Sequence, residues 1–109
     1  MVSSELTNVH RHARDDAREA VLAIIRAILI EDLRVRREPD EIDPDAPLFG
    51  TGLGLDSVDA VELVVAMETR FGLKLPEDTA GRRAMRTVDS LVDLVLAHRA
   101  IVKGARHGA

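Results

Sequence analysis

Ser57 is the residue around which chemistry is expected. It stands in Leu53-Gly54-Leu55-Asp56-Ser57-Val58-Asp59-Ala60-Val61-Glu62-Leu63, where a glycine-rich loop runs directly into a helical pattern. A hydroxyl at such a junction is exposed. It lies beside N–H groups with no acceptor inside the helix and at the positive end of the helix dipole. A phosphate placed there is electrostatically favoured. Asp56 is positioned as the N-cap and Asp59 three residues on, the spacing of a capping box. Val58 and Val61 alternate with the carboxylates of Asp59, Glu62 and Glu68, so this helix offers apolar side chains and negative charge together. Those acids read either as a solvated face or as partner contacts, and Val58 either as a surface contact or as core.

Other chemistries fail on the residues themselves. Gly50-Thr51-Gly52-Leu53-Gly54-Leu55 has Leu55 where a dinucleotide fingerprint needs its third glycine, and no strand pattern precedes it. Leu55 and Asp59 occupy the places where a nucleophile elbow needs glycine, so Ser57 is not a hydrolase nucleophile. Asp43-x-Asp45 begins like a calcium loop, but Leu48 stands where that loop turns on glycine. His10 and His12 form a pair on a polar lead, and His98 and His107 have no visible partners, so no metal site is assigned.

Three main helices and one short one position the serine. Residues 1–14 are polar and aperiodic and read as a disordered lead. From Asp15 the stripe Leu22, Ile25, Leu29, Leu33, flanked by Val21 and Ile28, predicts a first helix. Asp15, Asp16 and Glu19 fall in its first turn and Arg34, Arg36 and Arg37 in its last, before Pro39 ends it. Residues 38–55 form a connection long for a compact domain. Ile42, Leu48, Phe49, Leu53 and Leu55 are available to pin it to a core, so an ordered, packed loop is expected. The second helix is predicted over Ser57–Phe71, stopped by Gly72, with Val61, Val64 and Val65 on one side and Leu63, Met67 and Phe71 (read as core) on the other. A short turn of helix is expected around Arg82–Met85. Thr87 caps the last helix, whose stripe is Val88, Leu91, Val92, Val95. No strand pattern appears. The fold class is all-α: a small antiparallel four-helix bundle with a long ordered loop between helices one and two. Residues 15–102 form its one domain, and 103–109 a flexible tail.

Composition narrows the field. The 109 residues hold no Cys, Trp or Tyr and two Phe. Disulfides and cysteine chemistry are excluded, and a stacking platform for nucleic acid is not expected. The net charge of −4 conceals an acidic middle: residues 38–78 carry eleven acids and two bases, net −9, against +1 before and +4 after. No nucleic-acid partner follows from this balance. The longest apolar stretch, Ala20–Ile25, is too short to span a membrane. No signal-peptide pattern opens the chain, so a cytoplasmic protein is expected; a monomer is expected as well.

At this point the sequence resembles a known family. Gly54-Leu55-Asp56-Ser57-Val58-Asp59-Ala60-Val61-Glu62-Leu63 is similar to the attachment motif of acyl carrier proteins and related carrier domains. The resemblance covers most of residues 18–97. It takes in Asp43-Pro44-Asp45-Ala46-Pro47-Leu48-Phe49, Met67-Glu68, Phe71-Gly72-Leu73-Lys74-Leu75-Pro76 and Thr87-Val88-Asp89-Ser90-Leu91. It implies that Ser57, presented by Asp56, receives 4′-phosphopantetheine from coenzyme A through a Mg²⁺-dependent phosphopantetheinyl transferase. The terminal thiol of that arm then carries an acyl group as a thioester, which suits a chain without cysteine. The protein is then not itself an enzyme. It presents its cargo to an acyl-loading ligase or acyltransferase, a ketosynthase and other acyl-processing enzymes, docking through Val58, Asp59, Glu62 and Glu68. A core with few rings, only Phe49 and Phe71, reads either as an ordinary aliphatic core or as one whose helices part to shelter an aliphatic chain. The resemblance departs from the fatty-acid carriers at Thr69-Arg70, where further acids are usual, and at Gly81-Arg82-Arg83 in a long Pro76–Val88 stretch. These departures and the Gly50-x-Gly52-x-Gly54 form look more like carriers of specialised lipid or secondary-metabolite clusters, polyketides included. An aminoacyl or peptidyl carrier, or an acidic helical interaction module without an arm, stays open as an alternative.

Overall fold

The structure, a computed structural model, describes residues 16–76 and 78–108. The expected disordered lead lies outside the described residues. Helix α1 covers 16–27 and widens into a π-helical turn at Ile28–Asp32. Helix α2 is Ser57–Phe71, the short α3 is Thr79–Ala84, and α4 is Val88–Gly108. The described residues contain no β-strand, only the isolated bridges Pro47–Thr87 and Phe49–Leu55.

The apolar stripes meet as their spacing requires. Val21, Leu22, Ile25, Ile28, Leu29 and Leu33 come from α1 and its terminal turn. Leu63 and Met67 come from α2, and Val88, Leu91, Val92 and Val95 from α4. All are buried, and no polar or charged side chain is buried among the described residues. Each fully buried Leu or Met contributes about 1.5–3 kcal/mol over leaving it exposed. The helices are aliphatic rods sharing one core, the all-α bundle expected.

The end of α1 differs from the sequence reading. The arginines expected in its last turn fall beyond it: the helix closes at Asp32, with Leu33 N–H donating to Ile28 O at 3.2 Å and Val35 N–H to Leu29 O at 2.9 Å. Arg34 adopts a left-handed backbone, φ 59°, which reverses the chain. Widening the last turn lets Leu29 and Leu33 both reach the core, and this outweighs the dipole preference of the arginines.

The loop 38–55 is ordered and packed, as expected. Ile42, Leu48 and Leu55 are buried, with Phe49 and Leu53 packed beside them. Hydrogen bonds hold its backbone on three sides. Arg26 donates from Nε (3.2 Å) and Nη2 (2.8 Å) to the Ile42 carbonyl, tying the loop to α1. Leu48 N–H donates to Arg86 O and Asp89 N–H to Pro44 O, at 2.9 and 2.8 Å, tying it to the α3–α4 junction. Leu53 N–H to Pro47 O and Leu55 N–H to Leu48 O close it on itself. Gly52 sits so close that a Cβ there would lie 1.9 Å from the Pro47 carbonyl oxygen.

α4 starts as expected. Thr87 Oγ1 accepts from Ser90 N–H and Ser90 Oγ accepts from Thr87 N–H, a reciprocal cap. Its backbone continues helical to Gly108, through the residues read as a flexible tail. α3 starts three residues earlier than expected and ends one earlier, because Asp78 Oδ1 caps it by accepting from Ala80 N–H at 3.0 Å. Phe71, expected in the core, is half-buried at its rim with the Arg99 guanidinium 5.8 Å from its ring centre. Across the outside, Arg18 pairs with Asp89 and, at 2.7 Å, with Asp93. These half-exposed pairs contribute at most about 1 kcal/mol.

Gly52→Ala is expected to destabilise the fold by about 1–3 kcal/mol, because the added methyl must displace backbone. Gly50→Ala, where φ is +69° but nothing lies within 4 Å, is expected to lose only about 1 kcal/mol of stability, through added backbone strain. Urea unfolding of both variants measures the contrast. Equal losses would show that the Gly52–Pro47 approach is not a constraint.

Candidate functional site

Ser57 is the first residue of α2 and is exposed. Four local features place it. Leu55 is buried two residues earlier and anchors the incoming chain. Gly54, φ +71°, supplies the left-handed step that turns the loop toward the helix. Asp56 is extended and caps the helix, its Oδ1 accepting from Asp59 N–H at 2.9 Å. Asp59 Oδ2 accepts from Asp56 N–H at 3.0 Å, completing the box. The Asp56 carbonyl accepts from Ala60 N–H at 3.0 Å. The N–H groups of Ser57 and Val58 precede the first intrahelical acceptors, so they face outward beside the Ser57 hydroxyl. Such a helix start favours a phosphate ester oxygen. The hydroxyl is accessible to a partner, and the residues present fit a phosphodiester.

The expected partner-facing residues fall into two groups. Val58 is 64% exposed, which settles it as a surface residue rather than core. Glu62 is exposed as well. Asp59 and Glu68 are partly committed within the chain: Asp59 to the cap, and Glu68 Oε2 to Leu75 N–H at 3.1 Å, which holds the segment after α2. Of the two apolar sets on α2, only Leu63 and Met67 are fully buried. Val61 is 65% and Val65 56% exposed, continuing the stripe that begins at Val58. Their exposure was not decided by spacing, because both sets share the helical period.

Between α2 and α3 lies a groove of about 410 Å³, lined by Val61, Val64, Leu75, Gly81 and Met85, with Lys74 and Arg82 among its polar residues. A second groove separates α2 from the end of α1, between Glu31, Asp32 and Glu62. Arg70 bridges toward Glu31 and Asp32 at 3.7 and 3.9 Å. Sequence reasoning did not find these grooves, since both depend on how the helices meet. The described residues hold no cluster of three or more His, Cys, Asp or Glu suited to a metal ion. None of the described helices is long and apolar enough to cross a membrane.

A short helical bundle that exposes one serine at a helix start, beside apolar and acidic side chains, is the architecture of a carrier domain. The phosphopantetheine attachment site family matches residues 23–95. The chain is 38% identical over 81 residues to an acyl carrier protein of Cyanidioschyzon merolae, covering 74% of this chain and 84% of that one. It is 33% identical over 75 residues to an acyl carrier protein of Thermosynechococcus vestitus, covering 69% and 86%. It is 38% identical over 61 residues to the mitochondrial acyl carrier protein 2 of Arabidopsis thaliana, covering 56% and 46%. The chain belongs to the acyl carrier protein family. It is a carrier rather than an enzyme, and its prosthetic group is covalently attached 4′-phosphopantetheine.

Asp56→Ala is expected to lower stability by about 1 kcal/mol through loss of the cap, and Asp56→Asn to recover most of it. Thermal unfolding of the two variants beside wild type reads this. Equal losses in both would show that charge, not the cap bond, is what Asp56 contributes.

Proposed function

We propose that Ser57 carries the phosphopantetheine arm and that the protein tethers acyl intermediates and hands them to enzymes of specialised lipid, polyketide or fatty-acid biosynthesis. The observation that carries this is the exposed Ser57 hydroxyl at the capped start of α2. Ser57 Oγ forms the phosphodiester bond to the phosphopantetheine phosphorus of coenzyme A. The pyrophosphate bond breaks, the nucleotide leaves, and the hydroxyl proton passes to the transferase. Asp56 and the glycine-rich loop hold Ser57 still during this step, and the open N–H groups of the first turn face the ester. When attached, the arm supplies a thiol that holds the acyl group as a thioester.

The chain's own side chains then do two things. Val58 and Glu62, with the free oxygens of Asp59 and Glu68, form the face to which a phosphopantetheinyl transferase, an acyl-loading ligase or acyltransferase, and a ketosynthase dock in turn. Surface charge speeds such encounters without requiring tight binding, which suits a shuttle. The groove beside Val64, Leu75 and Met85 takes part of an aliphatic cargo out of water. Thr69-Arg70 and the arginines of α3 support a partner set distinct from that of primary fatty-acid synthesis. This reading places a monomer in the cytoplasm with its partner enzymes.

Incubation with coenzyme A, Mg²⁺ and a phosphopantetheinyl transferase is expected to add one phosphopantetheine per chain by intact mass. Ser57→Ala is expected to abolish the gain. A mass unchanged under conditions that modify another carrier would refute the reading, and a gain retained in Ser57→Ala would move the site. With an octanoyl arm attached, methyl NMR signals of Val64 and Met85 are expected to shift relative to the unacylated arm. Unmoved signals would show that the cargo lies in solvent.

A further inference from the structure

The surface beside Ser57 changes sign across one ridge. Val61 and Val65 stand between the two grooves and line both. On the α1 side the balance is negative: Glu31, Asp32 and Glu62 outnumber Arg34 and Arg70, and Arg70 is turned toward Glu31 and Asp32. On the α3 side the balance is positive: Lys74, Arg82 and Arg83 outnumber Glu68 and Asp78, whose carboxylates accept from Leu75 N–H and Ala80 N–H. The cations of that groove, Lys74 and Arg82, are exposed, and no ion pair holds them among the described residues.

α3 holds this charge in a defined place. Gly81 and Ala84 are buried and form its inward face, while Arg82 and Arg83 are exposed on its outward face. Gly81 lies against the Pro76 backbone so closely that a Cβ would sit 1.7 Å from its carbonyl oxygen. The helix is therefore seated directly on the segment that follows α2. Its arginines are carried on packed backbone rather than on a free loop.

Whatever forms a bond to Ser57 Oγ overlies the first turn of α2. Val61 is one turn further on, and it shares a groove with Arg82. We propose that the outward face of α3, Arg82 and Arg83 beside Lys74, is a cationic second half of the docking surface. The phosphopantetheinyl transferase that loads Ser57 meets it with carboxylates while an apolar depression receives Val61 and Val65. The proposal rests on Ser57 being the attachment residue. Complementary charge acts on encounter and orientation, so its loss appears in KM rather than in the bond-forming step.

The sign of the effect separates this proposal from an all-acidic docking surface. If the transferase reads only the acids of α2, adding carboxylates on α3 leaves KM unchanged or lowers it. If it reads the arginines, Arg82→Glu with Arg83→Glu raises KM by about fivefold or more at low salt, with kcat within about twofold. Arg82→Gln with Arg83→Gln then gives an intermediate rise, and the differences shrink at about 0.5 M KCl. Initial rates of mass gain, with coenzyme A saturating and the apo chain varied, read all of these. Circular dichroism and thermal unfolding of both variants check that the bundle is intact. An unchanged or lowered KM in the Glu variant overturns the proposal while leaving Ser57 in place. No mass gain in the wild-type chain overturns the Ser57 reading itself, and this proposal with it.

Discussion

The constraint on which the site depends is the pinning of the 38–55 connection into the core. A connection of this length has many peptide groups to satisfy and little helix of its own with which to satisfy them. Three buried side chains, Ile42, Leu48 and Leu55, draw it inward. Hydrogen bonds from Arg26 and to Arg86 O, together with Asp89 N–H donating to Pro44 O, keep its backbone from being buried unpaired. Leu55 ends this anchored stretch, and Ser57 follows two residues later. The serine is exposed, but the chain that delivers it is not free to wander.

A division of labour on α2 follows. Leu63 and Met67 hold the helix to the bundle. Val58, Val61 and Val65 lie on its solvent side, where an apolar stripe adds nothing to the stability of the free protein. In the proposed reading this exposed stripe is the apolar part of the docking face. Carboxylates are divided in a similar way. Asp56 and Asp59 satisfy the first turn, and Glu68 holds the segment leading to α3. On α2 itself Glu62 is the carboxylate that is exposed and makes no hydrogen bond among the described residues, while Asp56, Asp59 and Glu68 hold the framework around Ser57 and keep their charge.

Much of this architecture was legible in the residues. The span of α2, its Asp56–Asp59 box and its Gly72 stop follow from local rules acting within a few residues, and they are found as read. So are the buried stripes of α1 and α4 and the Thr87 cap. The end of α1 departs from what its charges predict, because charge preference at a helix terminus is weaker than the pull of Leu29 and Leu33 into the core. Phe71 lies at the rim rather than within, since its place depends on where α4 sets Arg99. α3 was placed late because its cap, Asp78, lies in a polar stretch with no periodicity to reveal it.

The sequence by itself determined the serine, its cap, the helical periods and the family, because each is encoded in residue type at short and fixed spacing. Only the tertiary structure decided which valines of α2 face solvent, which acids are already engaged, and which charges flank Val61 and Val65. Those outcomes depend on how α1, α3 and the long loop close around α2. Residues distant in the chain, such as Arg26 donating to Ile42 O and Asp89 N–H donating to Pro44 O, set that closure through contacts that no local pattern specifies.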